Sequence, residues 1–436
     1  MRRPLILAAI TLGVGAAVIA IPTAAPAVSA DDIPAVQEAH FDVIDRIGNW
    51  DALAPVSRLG SIVGDPVAGT IEIGWAGHVP SEIRAIADDA AAEGIAITFV
   101  EQESSEAELL SVAYDMAAAM PDEGAFAIGI GRDALSVEVP TEAAAEAADV
   151  TPIPLEGEVL TVIDEAEAAA ADVGATVTVE QTDTVPANAA AVPLELGAPI
   201  DPAAVVVPKG TARTNDVSVL SGGMRVQTQF LSGAFVSCTS GFTGFYAHRP
   251  VIITAAHCSD YADNRLVRNA AGTTIGRSDL VAELNDGTLP FDLGIIAASY
   301  EARTLPRIYT GDTSTVNITG AQTTWPPEGY QLCSSGQVTG WKCDLTAGKA
   351  YVTCYGTPRG QECMHVQLVR SSGANAFCLG DSGGPVVSRP TAVGARAVGV
   401  VSGIRGTGGT CAVEGMMAPI SQLGTVVTGL QVHSLP

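Results

Sequence analysis

Gly380-Asp381-Ser382-Gly383-Gly384-Pro385 sets a serine hydroxyl in a glycine-rich turn, and earlier in the chain Thr254-Ala255-Ala256-His257-Cys258 sets an imidazole at the end of the apolar run Val251-Ile252-Ile253. A serine hydroxyl is inert at neutral pH unless a base removes its proton during attack, so a reactive serine needs a histidine within hydrogen-bond reach. Read together, the two segments are a nucleophile and its base. Read apart, each has a plainer meaning: a satisfied core histidine, and one glycine-rich turn among many.

A neutral histidine accepts a proton best when a carboxylate fixes its tautomer and stabilises the imidazolium that forms. Between the two segments the candidates are Asp260, Asp263, Asp279, Asp286, Asp292, Asp312 and Asp344. Asp292 lies in Phe291-Asp292-Leu293-Gly294-Ile295-Ile296, a mostly apolar strand in which a charge needs a reason, whereas Asp260, Asp263 and Asp286 lie in polar loops. Asp292 is therefore assigned as the acid, with Asp286 in reserve. The competing reading makes Asp292 an edge-strand carboxylate facing water.

Composition divides the chain sharply. Residues 31–200 carry 33 Asp and Glu against 4 Lys and Arg, whereas residues 201–436 carry 15 against 16, so the overall charge of −26 belongs to the first part. All eight cysteines, Cys238, Cys258, Cys333, Cys343, Cys354, Cys363, Cys378 and Cys411, belong to the second. An even set confined to one domain suggests disulfides and an oxidising compartment. The N-terminus agrees: Met1-Arg2-Arg3 is basic, Leu5 to Ile21 is almost wholly apolar, and Val28-Ser29-Ala30 is a small-residue cleavage site, which together read as a secretory signal. Its apolar run is close to membrane-span length, so an uncleaved anchor is the other reading. Cys-x-x-Cys pairs and paired histidines are absent from the sequence, which argues against a zinc site. No metal, cofactor or nucleic-acid partner is expected.

Residues 31–200 alternate strand-like and helix-like pieces. Gly69–Gly74 reads as a strand, Ser81–Glu93 as a helix capped by Ser81, and Ile95–Val100 as a strand; Phe126–Ile130, Val159–Val173 and Ala175–Val179 repeat the pattern. Two related α+β units are predicted, their carboxylates forming a solvated face. Pro186, Pro193, Pro199, Pro202 and Pro208 mark residues 185–212 as an exposed linker, with Lys209 and Arg213 near its end. From Val217 onward, short β-branched runs separated by turn residues indicate an all-β barrel or sandwich.

The two motifs, in this order and with the cysteine after the histidine, resemble those of the chymotrypsin-like serine peptidases, specifically the bacterial streptogrisin and α-lytic branch. The resemblance implies an all-β catalytic domain of two packed six-stranded antiparallel barrels, preceded by an α+β pro-region that assists folding and inhibits. Boundaries follow: signal peptide 1–30, acidic pro-region with its linker 31–213, and peptidase domain 214–436. The activity implied is that of a secreted, monomeric serine endopeptidase acting on protein or peptide substrates through an acyl-enzyme, with its own pro-region as partner. His257, Asp292 and Ser382 would form the triad, and the N–H groups of Gly380 and Ser382 an oxyanion hole, each donor contributing about 3 kcal/mol.

The same resemblance pairs Cys238 with Cys258, Cys333 with Cys343 and Cys378 with Cys411, leaving Cys354 and Cys363 as an extra hairpin bridge. It places Ala376, Phe377, Leu379, Ser402, Gly403 and Gly415 around the substrate, with Met416 beside Gly415. Ala376 and Phe377 cannot pair with a basic side chain, so an apolar pocket narrowed by Phe377 and an aliphatic or aromatic preference are expected; Arg405 and Glu414 lie close enough in sequence to alter it. Two departures stand out. Ser334 replaces the arginine that pairs in relatives with the buried aspartate beside the serine, so Asp381 needs another cation, with Arg370, Arg405 or a freed N-terminus as candidates. Ile404 replaces the glycine two residues after Ser402. The rival functional classes are a catalytically dead binding protein on the same scaffold and a permanent acidic adhesion or cation-binding module.

Overall fold

The computed structural model describes residues 29–435, apart from residues 30, 122–123, 149, 189–211, 217–218, 231–232, 260–263, 282–290, 300–302, 358–359, 374, 408–409 and 424–428. The expected signal segment, Asp260, Asp263, the reserve acid Asp286, Lys209 and most of the expected linker lie outside the described residues.

The N-terminal region is one pattern used twice. Its first unit runs α1 (Ile33–Ala52), β1 (Leu59–Asp65), β2 (Thr70–Ala76), α2 (Ser81–Ala92) and β3 (Ala96–Gln102); the second runs α3 (Glu106–Ala119), β4 (Phe126–Gly131), β5 (Ala134–Pro140), α4 (Glu142–Ala147), α5 (Glu158–Asp172) and β6 (Thr176–Thr182). In each, two strands pair antiparallel and a helical crossover brings in a parallel third, giving the orders β1-β2-β3 and β4-β5-β6. Ser81 does not cap its helix: it is the first helical residue, and Pro80 occupies the cap without a side-chain bond. The capping box belongs to α3, where the Ser105 hydroxyl accepts from the Glu108 N–H and the Glu108 carboxylate accepts from the Ser105 N–H.

The C-terminal domain opens with the short turn α6 (Ala212–Asn215) and β8 (Val219–Gly222). Its first body is built from β9 (Arg225–Gln229), β10 (Phe235–Thr239), β11 (Phe242–Tyr246), β12 (Arg249–Thr254), β13 (Leu266–Asn269), β14 (Thr274–Val281) and β15 (Gly294–Ala298). The second is built from β16 (Arg303–Tyr309), β17 (Thr315–Ala321), β18 (Gln331–Gly336), β19 (Gly340–Thr357), β20 (Gly360–Ser371), β21 (Phe377–Cys378), β22 (Pro385–Ser388), β23 (Ala395–Gly406), β24 (Cys411–Ala412) and β25 (Glu414–Pro419). A last strand, β26 (Gln431–Val432), returns to β11. The two-body all-β domain with an α+β region before it is the expected fold class. The sheets hold eight and thirteen strands rather than six each: β26 extends the first, and β4, β5, β6 and β7 (Val185–Asn188) of the N-terminal region join the second, leaving seven and nine without them.

Those added strands join the two halves. β4 pairs antiparallel with β19 from Phe126↔Cys354 to Ile130↔Ala350. Val185–Asn188 (β7), expected as the start of an exposed linker, is instead a strand on β23 with Val185 buried. Pro186 does not prevent this, since an edge strand tolerates a residue that lacks a donor. Below the sheets, Phe41, Ile44 and Ile47 of α1 share one apolar core with Leu332, Val386 and Val398. Arg396 of β23 meets Glu38, Asp42 and Asp45 on the same helix. Among the described residues no helix is long and apolar enough to cross a membrane.

Candidate active site

His257 follows β12, whose Val251, Ile252 and Ile253 are buried, and sits on a single 3-10 turn, Ala256–Ser259. The Cys238–Cys258 disulfide ties that turn to β10. The ring is 3% exposed and Asp292, just before β15, is fully buried. Asp292 receives the His257 backbone N–H at 2.9 Å on one oxygen, and on the other contacts Nδ1 at 2.6 Å and receives the Ser402 hydroxyl at 2.7 Å. A buried carboxylate is costly unless its lone pairs are used, and three donors use them here. With the carboxylate on Nδ1, the proton belongs there and Nε2 is left as the acceptor.

Ser382 lies between β21 and β22. Its carbonyl receives the Thr239 N–H at 2.8 Å, and the turn is sewn to β23 by Gly383 N–H to Val401 O (2.7 Å) and Val401 N–H to Gly384 O (2.8 Å). Gly383 has φ +78°, and a Cβ there would stand 2.0 Å from Thr254 Oγ1 and 3.0 Å from Ala255 N, so the serine turn packs directly on the residues leading to His257. Gly380 has φ +100°; its carbonyl is held by the Thr239 hydroxyl and the Gln337 amide, both at 2.9 Å. Only glycine takes that backbone without strain.

Asp381 corrects an expectation. Arg370 pairs with Glu414 and Arg405 with Glu138 and Glu414, so neither serves it. The carboxylate accepts instead from the N–H groups of Val338 (2.8 Å), Thr339 (3.2 Å) and Cys378 (2.9 Å) and from the Thr339 hydroxyl (2.8 Å). Burial pushes its pKa up and those bonds pull it back.

Of the residues expected around the substrate, Ala376 and Phe377 are buried, and β21 pairs with β24 through Phe377↔Ala412 and the Cys378–Cys411 disulfide. The Phe377 ring lies over Gly415: a Cβ on that glycine would meet three ring atoms at 2.7–2.8 Å. Gly415 pairs with Ile404, and Met416 with Gly403, across β23 and β25. Leu379 donates its N–H to Thr410 O at 2.8 Å. The remaining bridges are Cys333–Cys343 and Cys354–Cys363, the latter closing the β19–β20 hairpin. Cys238, His257 and Cys258 cluster closely enough to suggest a metal, but both sulfurs are already joined to each other.

Sequence reading missed the Ser402–Asp292 bond, the support of the serine turn by Thr239 and by the loop through Thr339, and the seat of β7 on β23. Each depends on contacts across 42 residues or more, or on an edge strand too short to show periodicity.

Residues 221–427 match the family model described as Trypsin. Three solved structures are each covered over 100% of their own length by about half of this chain. They are Thermobifida fusca Protease A (23% identity, TM-score 0.37, 50% of this chain), Cellulomonas bogoriensis chymotrypsin (23%, 0.37, 50%) and an α-lytic protease homologue (20%, 0.35, 50%). No curated protein matches the sequence.

Proposed function

Residues 221–427 form a trypsin-family domain, and on that premise we propose that the chain is the precursor of a secreted serine endopeptidase whose N-terminal region is an inhibitory, folding-assisting pro-region. The observation that carries this reading is the buried His257–Asp292 pair, with the Gly380–Gly384 turn packed on Thr254 and Ala255, the residues that lead to His257. Ser382 Oγ attacks the peptide carbonyl while Nε2 of His257 takes its proton, and Asp292 holds the tautomer and stabilises the imidazolium. The N–H groups of Gly380 and Ser382 stabilise the oxyanion. Nε2 then protonates the leaving amine, and water attacks the acyl-enzyme by the same route reversed. Labelling with a fluorophosphonate tests this directly: the adduct is expected on Ser382, and an unlabelled, correctly folded protein would favour the dead-scaffold reading.

An extended substrate would pair with the strand after Ser402, and β7 supports the inhibitory role by already occupying it, with Asn188↔Gly403 and Ala187↔Ile404. The primary pocket reads as shallow. Phe377 on Gly415 and Ile404 beside it leave room for a small aliphatic side chain. Wild type is expected to favour Ala or Val over Phe before the scissile bond by roughly 10- to 100-fold in kcat/KM. Phe377→Ala should shift the ratio toward Phe while costing about 3 kcal/mol of stability. A series of chromogenic peptides differing only at that residue checks it; an unchanged ratio would remove Phe377 from the pocket.

Docking of the pro-region should depend on pH through His40. This ring, fully buried on α1, contacts the Tyr330 hydroxyl of the C-terminal domain through Nδ1 at 2.6 Å. Burial lowers its pKa from 6.5 to about 4, with Asp65 offsetting a little. A depressed histidine favours the docked state fully above the undocked pKa, so its contribution is lost as pH falls from about 6.5 to about 4. Asp45 and Glu106, both raised by burial, Glu106 to about 7, act in the opposite sense. Comparing wild type with His40→Gln cancels those two. Between about pH 7.5 and about pH 4.5, the affinity of the wild-type pro-region for the Ser382→Ala enzyme should fall by up to roughly 100-fold relative to His40→Gln. Parallel profiles would exclude His40.

A further inference from the structure

The serine turn rests on a loop that is itself held from behind. Three of the four donors to Asp381 belong to Val338 and Thr339, and Gly336 stands so close that a Cβ on it would meet Asp381 Oδ1 at 2.0 Å. Behind that loop lies Arg213, 8% exposed on the short turn α6. Its Nη2 donates to Gly336 O at 2.6 Å and to Ser335 Oγ at 3.1 Å, and its Nε donates to Gly223 O at 2.7 Å. Ser335 in turn donates to Tyr309 O at 2.5 Å. The guanidinium thus spends three bonds on neutral acceptors, which leaves its charge uncompensated by any of them. Burial pulls the Arg213 pKa down, and the charges of Asp381 and Asp312 offset part of that.

We propose that Arg213 is a positioning residue for the serine turn: it pins the Ser335–Gly336 end of the loop that holds Asp381, and so fixes the Gly380 and Ser382 N–H groups against the reacting carbonyl. This inference rests on the peptidase reading. A second consequence follows from the same contacts. If the active enzyme needs Arg213, the cut that frees it from the pro-region falls upstream of Arg213, after the Asn188 that still lies on β23.

The test uses mature enzyme secreted from the full precursor, as wild type, Arg213→Ala and Arg213→Lys. Arg213→Ala is expected to lower kcat by about 100-fold, the size of losing an oxyanion donor, with KM changed little. Affinity for a peptide boronate, which mimics the tetrahedral intermediate, should fall in parallel. Arg213→Lys should lie between, because it keeps the charge and loses the fork. Added guanidinium should restore part of the Arg213→Ala rate and none of the Ser382→Ala rate. N-terminal sequencing of active wild type should find Arg213 retained, a readout that needs no variant to fold. The proposal is overturned if Arg213→Ala or Arg213→Lys lowers the melting temperature and leaves kcat and boronate affinity unchanged. A fully active enzyme beginning after residue 213 overturns it equally. A wild-type protein that neither hydrolyses peptides nor takes the fluorophosphonate overturns the peptidase reading itself, and this inference with it.

Discussion

Ser382→Ala and His257→Ala are each expected to lower kcat on a peptide substrate by about 10⁵-fold or more, and the double variant by little beyond either single one, because the groups act as a unit. Asp292→Asn should cost about 10⁴-fold, since an amide in that place turns the imidazole to the wrong tautomer. The geometry also ranks a fourth residue. Ser402 shares the Asp292 oxygen that contacts Nδ1, so Ser402→Ala should cost only about tenfold, the scale of one hydrogen bond to a charged group. Single-turnover kinetics with active-site titration separates these losses from misfolding. Near-full activity in Asp292→Asn would sink the assignment and turn attention to Asp286.

The second large effect concerns assembly. Residues 212–436 expressed alone are expected to yield active enzyme at least about a hundredfold less efficiently than the full precursor, because their strand pairings are distant in sequence and closed late. Residues 31–188 added in trans should restore folding and then inhibit until digested. The interface gives the reason. β4 offers a template edge to β19, β7 offers one to β23, and α1 completes a core that Leu332, Val386 and Val398 cannot close unaided. Measurement is by refolding from denaturant with and without the added segment, scored by active-site titration. Equal yields would leave the N-terminal region without this role, and a slow unfolding rate as the remaining guard of the C-terminal domain.

Legibility in the sequence followed the range of the interaction. His257 and Asp292 could be brought together on paper because an ionisable side chain inside an apolar run demands a partner, and the strand repeats were visible in β2, β3, β4 and β6 because alternation is local. α1 escaped notice although much of one face is buried, since Gln37, His40 and Asp45 sit among its apolar residues; Gln37 Nε2, His40 Nδ1 and the Asp45 carboxylate find partners in Gln331, Tyr330 and Thr323, far along the chain. β7 was hidden by Pro186, whose meaning depends on whether a neighbouring strand is waiting. For Asp381 the sequence pointed to a cation, with Arg370 and Arg405 as candidates, and both pair elsewhere. The structure supplies N–H groups and a hydroxyl from Val338 and Thr339, contacts that no local window contains.

The β4–β19 pairing has one more consequence. Ala350-Tyr351-Val352-Thr353-Cys354 is a run of five residues with high strand propensity and no charge, and in the precursor every one of them has a partner on β4. Stripped of that partner, the run is an open sheet edge, the kind of surface on which chains add to one another into aggregates. The N-terminal region therefore covers this edge: as long as β4 stays paired there, the run is not available to a neighbouring molecule.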